Sequence, residues 1–290
     1  MVELERVILP GYNESLKIHN EILFPNFCNE LLKIKDLKLR PDDTFVIGYP
    51  KSGTTWTEEI VWLIQNDLDF EKCSRQFHFE RVPFLEKEPL NKIDLLPAPR
   101  VFKSHLTLDY LPDKIEQFCK IIYVMRNPKD MLVSYFNFMK SIKGIDYNGT
   151  LENIIEDFSQ DKIVYGNWCD HVNQFYSNSN ILFITYEDLL EKSFEIVKKI
   201  VEFLGKSYTD KEIERLIEVT SFKNMKSTST QLSRFHSDET FKRIDFSLFF
   251  RKGEIGNWVS HFNDQMSSKV DDLIKHKINP NIEIRYLPSK

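Results

Sequence analysis

The sequence predicts an α/β fold with a central, mostly parallel β-sheet and helices on both faces. Short, apolar and partly β-branched runs alternate with longer amphipathic segments, which is typical of βαβ units. Polar motifs follow several of these runs directly, where ligands bind in such sheets. The chain has 290 residues, 41% of them hydrophobic, so we expect one domain over residues 1–290.

The elements follow one another in a regular order. The predicted strands lie at residues 44–49, 100–104, 120–126 and 181–186, and the predicted helices at 54–66, 128–142, 161–176 and 191–205. The stretch 226–257 has no regular periodicity, and a loop of that length in a compact domain is usually functional. We therefore expect lid segments at 76–92 and 226–252.

Composition excludes several classes of protein. The net charge of −5 and pI of about 5.9 argue against broad binding to nucleic acid. We expect no signal peptide, because the N-terminus lacks a basic region followed by an apolar one, and no membrane span, because no run approaches ~18 apolar residues. Cys28, Cys73, Cys119 and Cys169 lack the spacing of a disulfide framework or metal site, so buried free thiols in a reducing cytoplasm are expected.

The stretch GYPKSGTT follows the first strand and resembles an anion-binding turn. Gly48 and Gly53 have the spacing of the ATP-binding loop, but Thr54 and Thr55 stand where that loop has Lys-Ser/Thr. Its lysine, Lys51, lies inside the turn, so it would face the 5′ group of a bound nucleotide, near the bond that breaks in the reaction. An ordinary strand-to-helix turn with a threonine cap is the alternative.

Four blocks carry a resemblance to one family. YPKSGTTW resembles the 5′-phosphosulfate loop of cytosolic sulfotransferases, which use 3′-phosphoadenosine 5′-phosphosulfate (PAPS) as donor and release 3′-phosphoadenosine 5′-phosphate (PAP). The other blocks, in the family's order, are KSHL (103–106), YVMRNPKDMLVSYF (123–136) and RKGEIGNW (251–258). The resemblance covers roughly residues 40–262 and implies a P-loop-like strand, loop and helix.

For the donor, the resemblance implies contacts from several parts of the chain. It places Lys51 at the oxygen that bridges sulfur and phosphorus. The 5′-phosphate would contact Ser52, Gly53, Thr54 and Thr55, and the 3′-phosphate Arg126, Ser134, Arg251 and the backbone of Lys252 and Gly253. The adenine positions are Trp56, Tyr186, Thr220 and Phe222, with Phe250 as a further donor contact. From the residues alone, Trp56 could equally be a core tryptophan on a buried helix face.

His105 in KSHL ends a predicted strand. A lone histidine is more often structural, but an imidazole beside an anion pocket can take a proton from an acceptor hydroxyl. In the matching motif it is the general base. Lys103 would stabilise the sulfuryl oxygens, and Ser134 would restrain Lys51 until the acceptor arrives.

Aromatic residues flank the histidine and the donor motifs, which favours an apolar slot for a flat acceptor. The acceptor contacts we expect, besides Lys103 and His105, are Phe79, Phe84, Phe138, Phe246 and Phe249. A phenol, a catecholamine or a small apolar alcohol would fit. Glu80 and Glu86 could pair with an amine, although solvation at the surface explains them as well.

Three other functions stay open. A kinase would need a Mg²⁺-binding carboxylate, which Glu187 or Asp188 could supply, whereas sulfonate transfer needs no metal. The chain could also be a nucleotide-binding protein without activity, or a dehydratase that sulfonates an alcohol only to eliminate it.

The expected partners are small molecules, and the oligomeric state is open. Many relatives dimerise through a Lys-x-x-x-Thr-Val-x-x-x-Glu segment after the second glycine motif. The aligned positions here are Val259, Asn263, Asp264 and Ser268, and none matches. We therefore expect a monomer, or a dimer that uses another surface.

Overall fold

A computed structural model describes residues 4–141, 147–176, 178–233 and 252–289. The strands are β1 (Glu5–Val7), β2 (Leu16–His19), β3 (Ile22–Phe24), β4 (Thr44–Ile47), β5 (Val101–Ser104), β6 (Lys120–Met125) and β7 (Ile181–Thr185). The longer helices are α1 (Thr54–Gln65), α6 (Pro128–Ser141), α7 (Leu151–Ser159), α8 (Trp168–Tyr176), α10 (Ser193–Phe203), α11 (Asp210–Val219), α12 (Phe222–Ser233) and α13 (Asp264–Lys277). The shorter helices are α2 (Phe70–Arg75), α3 (His78–Arg81), α4 (Leu90–Ile93), α5 (Ile115–Phe118) and α9 (Tyr186–Glu191), and the 3₁₀ turns are Leu31–Asp36, Leu108–Tyr110 and Asn257–Ser260.

The central sheet has the strand order β5-β4-β6-β7, and every pair in it is parallel. The chain leaves β4 toward β5 and then crosses to β6 on the other side of β4. This reversal makes a crevice at the carboxyl end of β4, where open parallel sheets bind ligands. The loop GYPKSGTT begins there, as the sequence predicts.

Alternating residues of β4 face two different cores, because successive side chains on a strand point to opposite faces. Phe45 and Ile47 pack in one cluster with β6 residues such as Tyr123. Val46 packs in the other, with residues of α1 and α10 such as Val61 and Val197. The sheet is therefore buried on both faces, which confirms the predicted α/β class.

The four predicted strands are confirmed within two residues at each end. The helix predicted over 161–176 is wrong in its first half, because α8 begins only at Trp168. Asp161, Tyr165 and Gly166 adopt positive φ angles, which a right-handed helix excludes. Residues 226–233 are helical, as the end of α12, although their patterning predicted irregular structure.

The sequence did not reveal a small antiparallel sheet of order β1-β2-β3 near the N-terminus. Its strands are three or four residues long, too short to show a period. The sheet is joined to the rest of the chain where the Tyr165 backbone N–H donates to the Leu23 carbonyl at 2.8 Å. This contact places the sheet beside the segment that precedes α8.

The α6 helix begins as predicted, with Asn127 at the cap and Pro128 first in the helix. The Asn127 side-chain oxygen accepts from the Asp130 backbone N–H at 2.8 Å. The Asp130 carboxylate in turn accepts from the backbone N–H groups of Gly256 and Trp258 at 2.7 and 2.8 Å. The second glycine motif is thereby held against the start of α6.

All four cysteines are buried and free, which confirms that prediction. Within the described ranges, none of the helices combines the length and apolar character needed to cross a bilayer.

Candidate active site

The loop after β4 is anchored by a hydrogen bond from its own tyrosine, and two of its residues have positive φ angles. The buried Tyr49 hydroxyl donates to the Gly166 carbonyl at 2.8 Å. Lys51 has φ of +68° and Gly53 of +98°. A Cβ at Gly53 would lie 2.6 Å from the Tyr186 ring, so both conformation and space require glycine there.

A cavity of about 940 Å³ opens beside this loop and contains most of the predicted site. The predicted donor residues in its wall are Lys51, Gly53, Thr54, Thr55, Trp56, Arg126, Ser134, Tyr186, Phe222, Lys252 and Gly253. The predicted acceptor residues in its wall are Phe79, Phe84, Lys103, His105 and Phe138. Phe246, Phe249, Phe250 and Arg251 lie outside the described residues.

Two predicted donor residues lie behind the wall. Ser52 is fully buried, and its hydroxyl has no hydrogen-bond partner among the described residues. Thr220 borders a separate small cavity of about 60 Å³, and its hydroxyl donates to the Leu216 carbonyl at 2.9 Å.

Three of the cations in the cavity wall, Lys51, Lys103 and Arg126, act on one another. Lys51 Nζ lies 4.3 Å from the centre of the Phe138 ring. Burial lowers the pKa of Lys51 well below its ordinary value, and the charges of Lys103 and Arg126 lower it further. Because these charges repel one another, an anion bound among them is favoured.

Arg126 directly follows β6 and is ordered by its neighbours. Its guanidinium stacks 4.3 Å over the Tyr186 ring and donates to the carbonyls of Lys51 and Glu254, both at 3.3 Å. Its Nε has no hydrogen-bond partner among the described residues. The group is thus oriented but keeps donor capacity for a ligand.

Trp56 and Tyr186 form an aromatic corner of the cavity, with ring centres 5.9 Å apart and planes at 73°. Trp56 is half-buried, and its Nε1 is buried without a hydrogen-bond partner among the described residues. Trp56 therefore has a face toward the cavity and is not fully enclosed in the core.

His105 is buried, and its contacts define its tautomer. Its Nδ1 lies 2.5 Å from the Gly48 carbonyl oxygen. Since a carbonyl can only accept, Nδ1 carries the proton and donates, and Nε2 keeps the lone pair of the neutral ring. Burial, and then the Lys103 charge, lower the pKa of His105 well below its usual value, so Nε2 is available to accept a proton at neutral pH.

A second histidine supports the first. His171 Nε2 donates to the His105 carbonyl at 2.9 Å, and the Tyr123 hydroxyl donates to His171 Nδ1 at 2.8 Å. The rings of Phe84 and Tyr165 pack edge-on against His105, with centres 5.3 and 5.5 Å away. The imidazole is therefore held in one orientation by backbone and aromatic contacts.

Two buried carboxylates lie beside these residues, and of the two only Glu86 was named from the sequence, as a possible partner of an amine acceptor. Glu86 accepts from the His105 backbone N–H at 2.6 Å and is buried, so the expectation that solvation explains it was wrong. Glu58 lies on α1 with Oε1 3.8 Å from Lys103 Nζ. Its four-residue spacing from Thr54, which puts both on one helix face, is the only sequence signal that pointed to it.

The carboxylates that a kinase would use have other contacts. Glu187 is buried and accepts from both the backbone and the side chain of Asn127, each at 3.0 Å. Over residues 4–141, 147–176, 178–233 and 252–289, no group of carboxylates, histidines and cysteines could hold a metal ion.

The site is a cationic pocket at the switch point of a parallel sheet, where α/β proteins bind ligands. Comparison with known proteins gives the family. Residues 41–281 match the model of the sulfotransferase domain. The chain therefore belongs to the sulfotransferase family, and it is a sulfotransferase.

Individual relatives are similar to this chain over most of their length. Human sulfotransferase 1E1 is 35% identical over 273 residues, covering 91% of this chain and 92% of that protein. The rabbit amine sulfotransferase is 36% identical over 255 residues, covering 86% and 84%. A crystal structure of retinol dehydratase with retinol and PAP superposes with a TM-score of 0.79 at 25% identity, covering 91% of this chain and 89% of that one.

Proposed function

We propose that this sulfotransferase moves a sulfonate group from PAPS to the hydroxyl of a small, flat, apolar acceptor, with His105 as general base. The observation that carries the proposal is the convergence of Lys51, Lys103 and a neutral His105 on one cavity. A cationic end beside an aromatic end suits an anionic donor and an uncharged acceptor.

Buried polar atoms near the β4 loop are available for the donor. Ser52 Oγ, Trp56 Nε1 and Arg126 Nε are buried and have no hydrogen-bond partner among the described residues. Lys51 and the backbone of Gly53 to Thr55 would bind the 5′-phosphate, where the α1 N-terminus favours negative charge. Arg126 and the backbone of Lys252 and Gly253 would bind the 3′-phosphate. The retinol dehydratase structure, which contains PAP, supports this nucleotide.

PAPS supplies a sulfonate group whose sulfur–oxygen bond to the 5′-phosphate breaks as the acceptor oxygen bonds to sulfur. His105 accepts the acceptor's hydroxyl proton at Nε2, because Nδ1 is committed to the Gly48 carbonyl. Lys103 neutralises charge on the sulfuryl oxygens, and Lys51 stabilises the phosphate oxygen that gains the electron pair. Ser134, in the wall of the same cavity, would hold Lys51 until the acceptor is in place.

The acceptor end of the cavity has aromatic walls on several sides. Phe79, Phe84, Phe138 and Tyr165 line it beside His105. A phenol, catecholamine or apolar alcohol would place its hydroxyl at the histidine and its body among these rings. Glu80 also lines the cavity and could pair with the amine of a catecholamine.

The first test is a transfer assay with sulfur-labelled PAPS, with and without EDTA. The acceptor panel holds phenols, catecholamines, hydroxysteroids and long-chain alcohols. We expect EDTA-resistant transfer in the wild type and a loss of ~10²-fold or more in His105→Ala, as removal of a general base usually causes. PAP binding should stay close to normal.

The matched control is His276→Ala, which removes an exposed histidine on α13, away from the cavity. Full transfer by His105→Ala would remove His105 as the base. Transfer that stops in EDTA and returns with Mg²⁺ would refute a metal-free reaction.

The similarity to retinol dehydratase favours a second outcome for alcohol acceptors. A sulfonated alcohol could lose sulfate and leave an alkene. Product analysis separates the two, since a stable sulfate ester supports simple transfer, and free sulfate with a dehydrated product supports elimination.

A further inference from the structure

A buried carboxylate lies close to the Lys103 ammonium. Glu58 on α1 is 0% exposed, and its Oε1 lies 3.8 Å from Lys103 Nζ. Neither Glu58 oxygen accepts a well-formed hydrogen bond from a described residue. The carboxylate thus depends mainly on Lys103 for compensation of its charge, which is costly to bury alone.

Lys103 itself lies between two environments. Toward the cavity its ammonium faces the rings of Phe84 and Phe79, with centres 4.8 and 5.7 Å away. Toward the core it faces Glu58 at a distance too long for a hydrogen bond. A small movement of the flexible side chain would exchange the carboxylate for an anion in the cavity.

We propose that Glu58 is a positioning residue, which retains the Lys103 ammonium at the back of the cavity when ionised and releases it toward the transferring sulfonate when protonated. The proposal rests on the proposed role of Lys103 in the transfer. It adds a group that sets how much positive charge this lysine presents to the reaction.

Glu58 can change its charge near neutral pH. Burial raises its pKa to about 7, against the opposing effect of the Lys103 charge. The other groups that act on it are Glu59 and the Thr54 hydroxyl on α1 and Arg81 on α3. Since the pKa of His105 lies well below its usual value, that imidazole stays neutral while Glu58 titrates.

The test compares the full-length wild type with Glu58→Gln, which keeps the side-chain volume and removes the charge. We expect the ratio of kcat values, variant to wild type, to rise from near one at pH 6 to about ten at pH 8, the size of coupling usual for contacting groups. The pH dependence of this ratio should vanish in a Lys103→Met background. A ratio that is the same at every pH, or that persists without Lys103, would overturn the proposal.

The matched control is Glu59→Gln on the same helix. Its carboxylate pairs with Arg81 at 2.6 Å and not with Lys103. Loss of this pair can reduce the amount of folded enzyme, but the kcat ratio should not depend on pH. A pH dependence equal to that of Glu58→Gln would show a general charge effect and refute a specific one.

A readout without turnover separates this idea from the proposed function. In protein with ¹³C-labelled glutamate carboxyl groups, the Glu58 signal is the one missing from Glu58→Gln. Its titration midpoint should rise in Lys103→Met, because the stabilising cation is gone. An unchanged midpoint would refute the pair, whereas a raised midpoint in a protein that transfers no sulfonate would refute the proposed function alone.

Discussion

Single side chains in this site derive their chemistry from the atoms behind them. His105 has a defined tautomer because the Gly48 carbonyl accepts from its Nδ1. Lys103 lies between an aromatic wall and a buried carboxylate. The residue types alone do not carry these properties, since an identical histidine on the surface would titrate near its ordinary pKa.

Gly53 is the residue whose replacement should test the loop most directly. Gly53→Ala would force a Cβ to within 2.6 Å of the Tyr186 ring at a φ of +98°. We expect a loss of roughly 1–3 kcal/mol in the free energy of unfolding and weaker PAP binding. Urea unfolding and calorimetry measure the two effects.

Gly205→Ala is the matched control for Gly53→Ala. Gly205 also has a positive φ, of +70°, but nothing lies within 4 Å of a Cβ there. It should show the strain of the backbone without the clash and without a change in PAP binding. If both variants behaved alike, the Tyr186 contact would not explain the glycine.

Glu58 should also make stability depend on pH. Its pKa is about 7 in the folded protein against an ordinary 4.5, so folding favours its protonated form. That contribution is fully present below about pH 4.5 and is lost as pH rises through 7. Glu58→Gln should therefore gain stability relative to wild type between pH 5 and pH 8, by up to on the order of 3 kcal/mol.

Urea unfolding at both pH values measures this gain. The control is Glu195→Gln, which replaces an exposed carboxylate on α10. A difference between Glu58→Gln and wild type that stays constant with pH would contradict the raised pKa.

Among the elements, the start of α6 connects three parts of the site. Asp130 accepts from the Asn127 side chain at 3.0 Å and from the Gly256 and Trp258 backbone. Arg126 directly follows the preceding strand, and the segment with Gly253 continues the same cavity wall. An aspartate in the first turn of α6 thus also orders a distant stretch of chain.

Asp130→Ala should weaken both the fold and donor binding. The change leaves the partly buried backbone N–H groups of Gly256 and Trp258 without their acceptor, so we expect a loss on the order of 3 kcal/mol in unfolding free energy. PAP affinity should fall as well, because Lys252 and Gly253 lose their support. The control is Asp264→Ala, an exposed aspartate in the first turn of α13. Normal PAP affinity in a folded Asp130→Ala would contradict the link.

At the level of the whole molecule, the cavity is made by segments far apart in the chain. The β4 loop, the residue after β6, the α6 helix and the residues after 251 all contribute to its wall. The parallel sheet brings them together, because the carboxyl ends of its strands lie at one edge. A nucleotide with two phosphates would bridge several of these segments.

A ligand that bridges these segments should stabilise the folded protein, and Arg126 should determine the preference for PAP over ADP. PAP should raise the unfolding temperature of wild type more than ADP does, because binding only to the folded state stabilises it. In Arg126→Ala the advantage of PAP over ADP should shrink by ~10-fold or more in affinity, as expected for loss of a charged hydrogen bond. Thermal unfolding and calorimetry with both nucleotides measure this.

Arg215→Ala, which removes an exposed arginine on α11, is the control for this comparison. Equal losses for PAP and ADP in Arg126→Ala would contradict its assignment to the 3′-phosphate.

The sequence by itself determined the family and the parallel sheet, and it named most of the residues that line the candidate site. Motifs such as YPKSGTTW and KSHL are local, and the buried central strands can be recognised as short, apolar, partly β-branched runs. For this reason the four central strands and residues such as Lys51 and His105 could be predicted before the fold was known.

Only the tertiary structure decided the rest. The β1-β2-β3 sheet consists of strands too short to show a pattern, and α8 starts late because of backbone conformations that depend on distant contacts. The tautomer of His105 and the Glu58–Lys103 pair depend on burial and on atoms from other elements. Desolvation and side-chain direction are properties of the folded interior, so no local stretch of sequence encodes them.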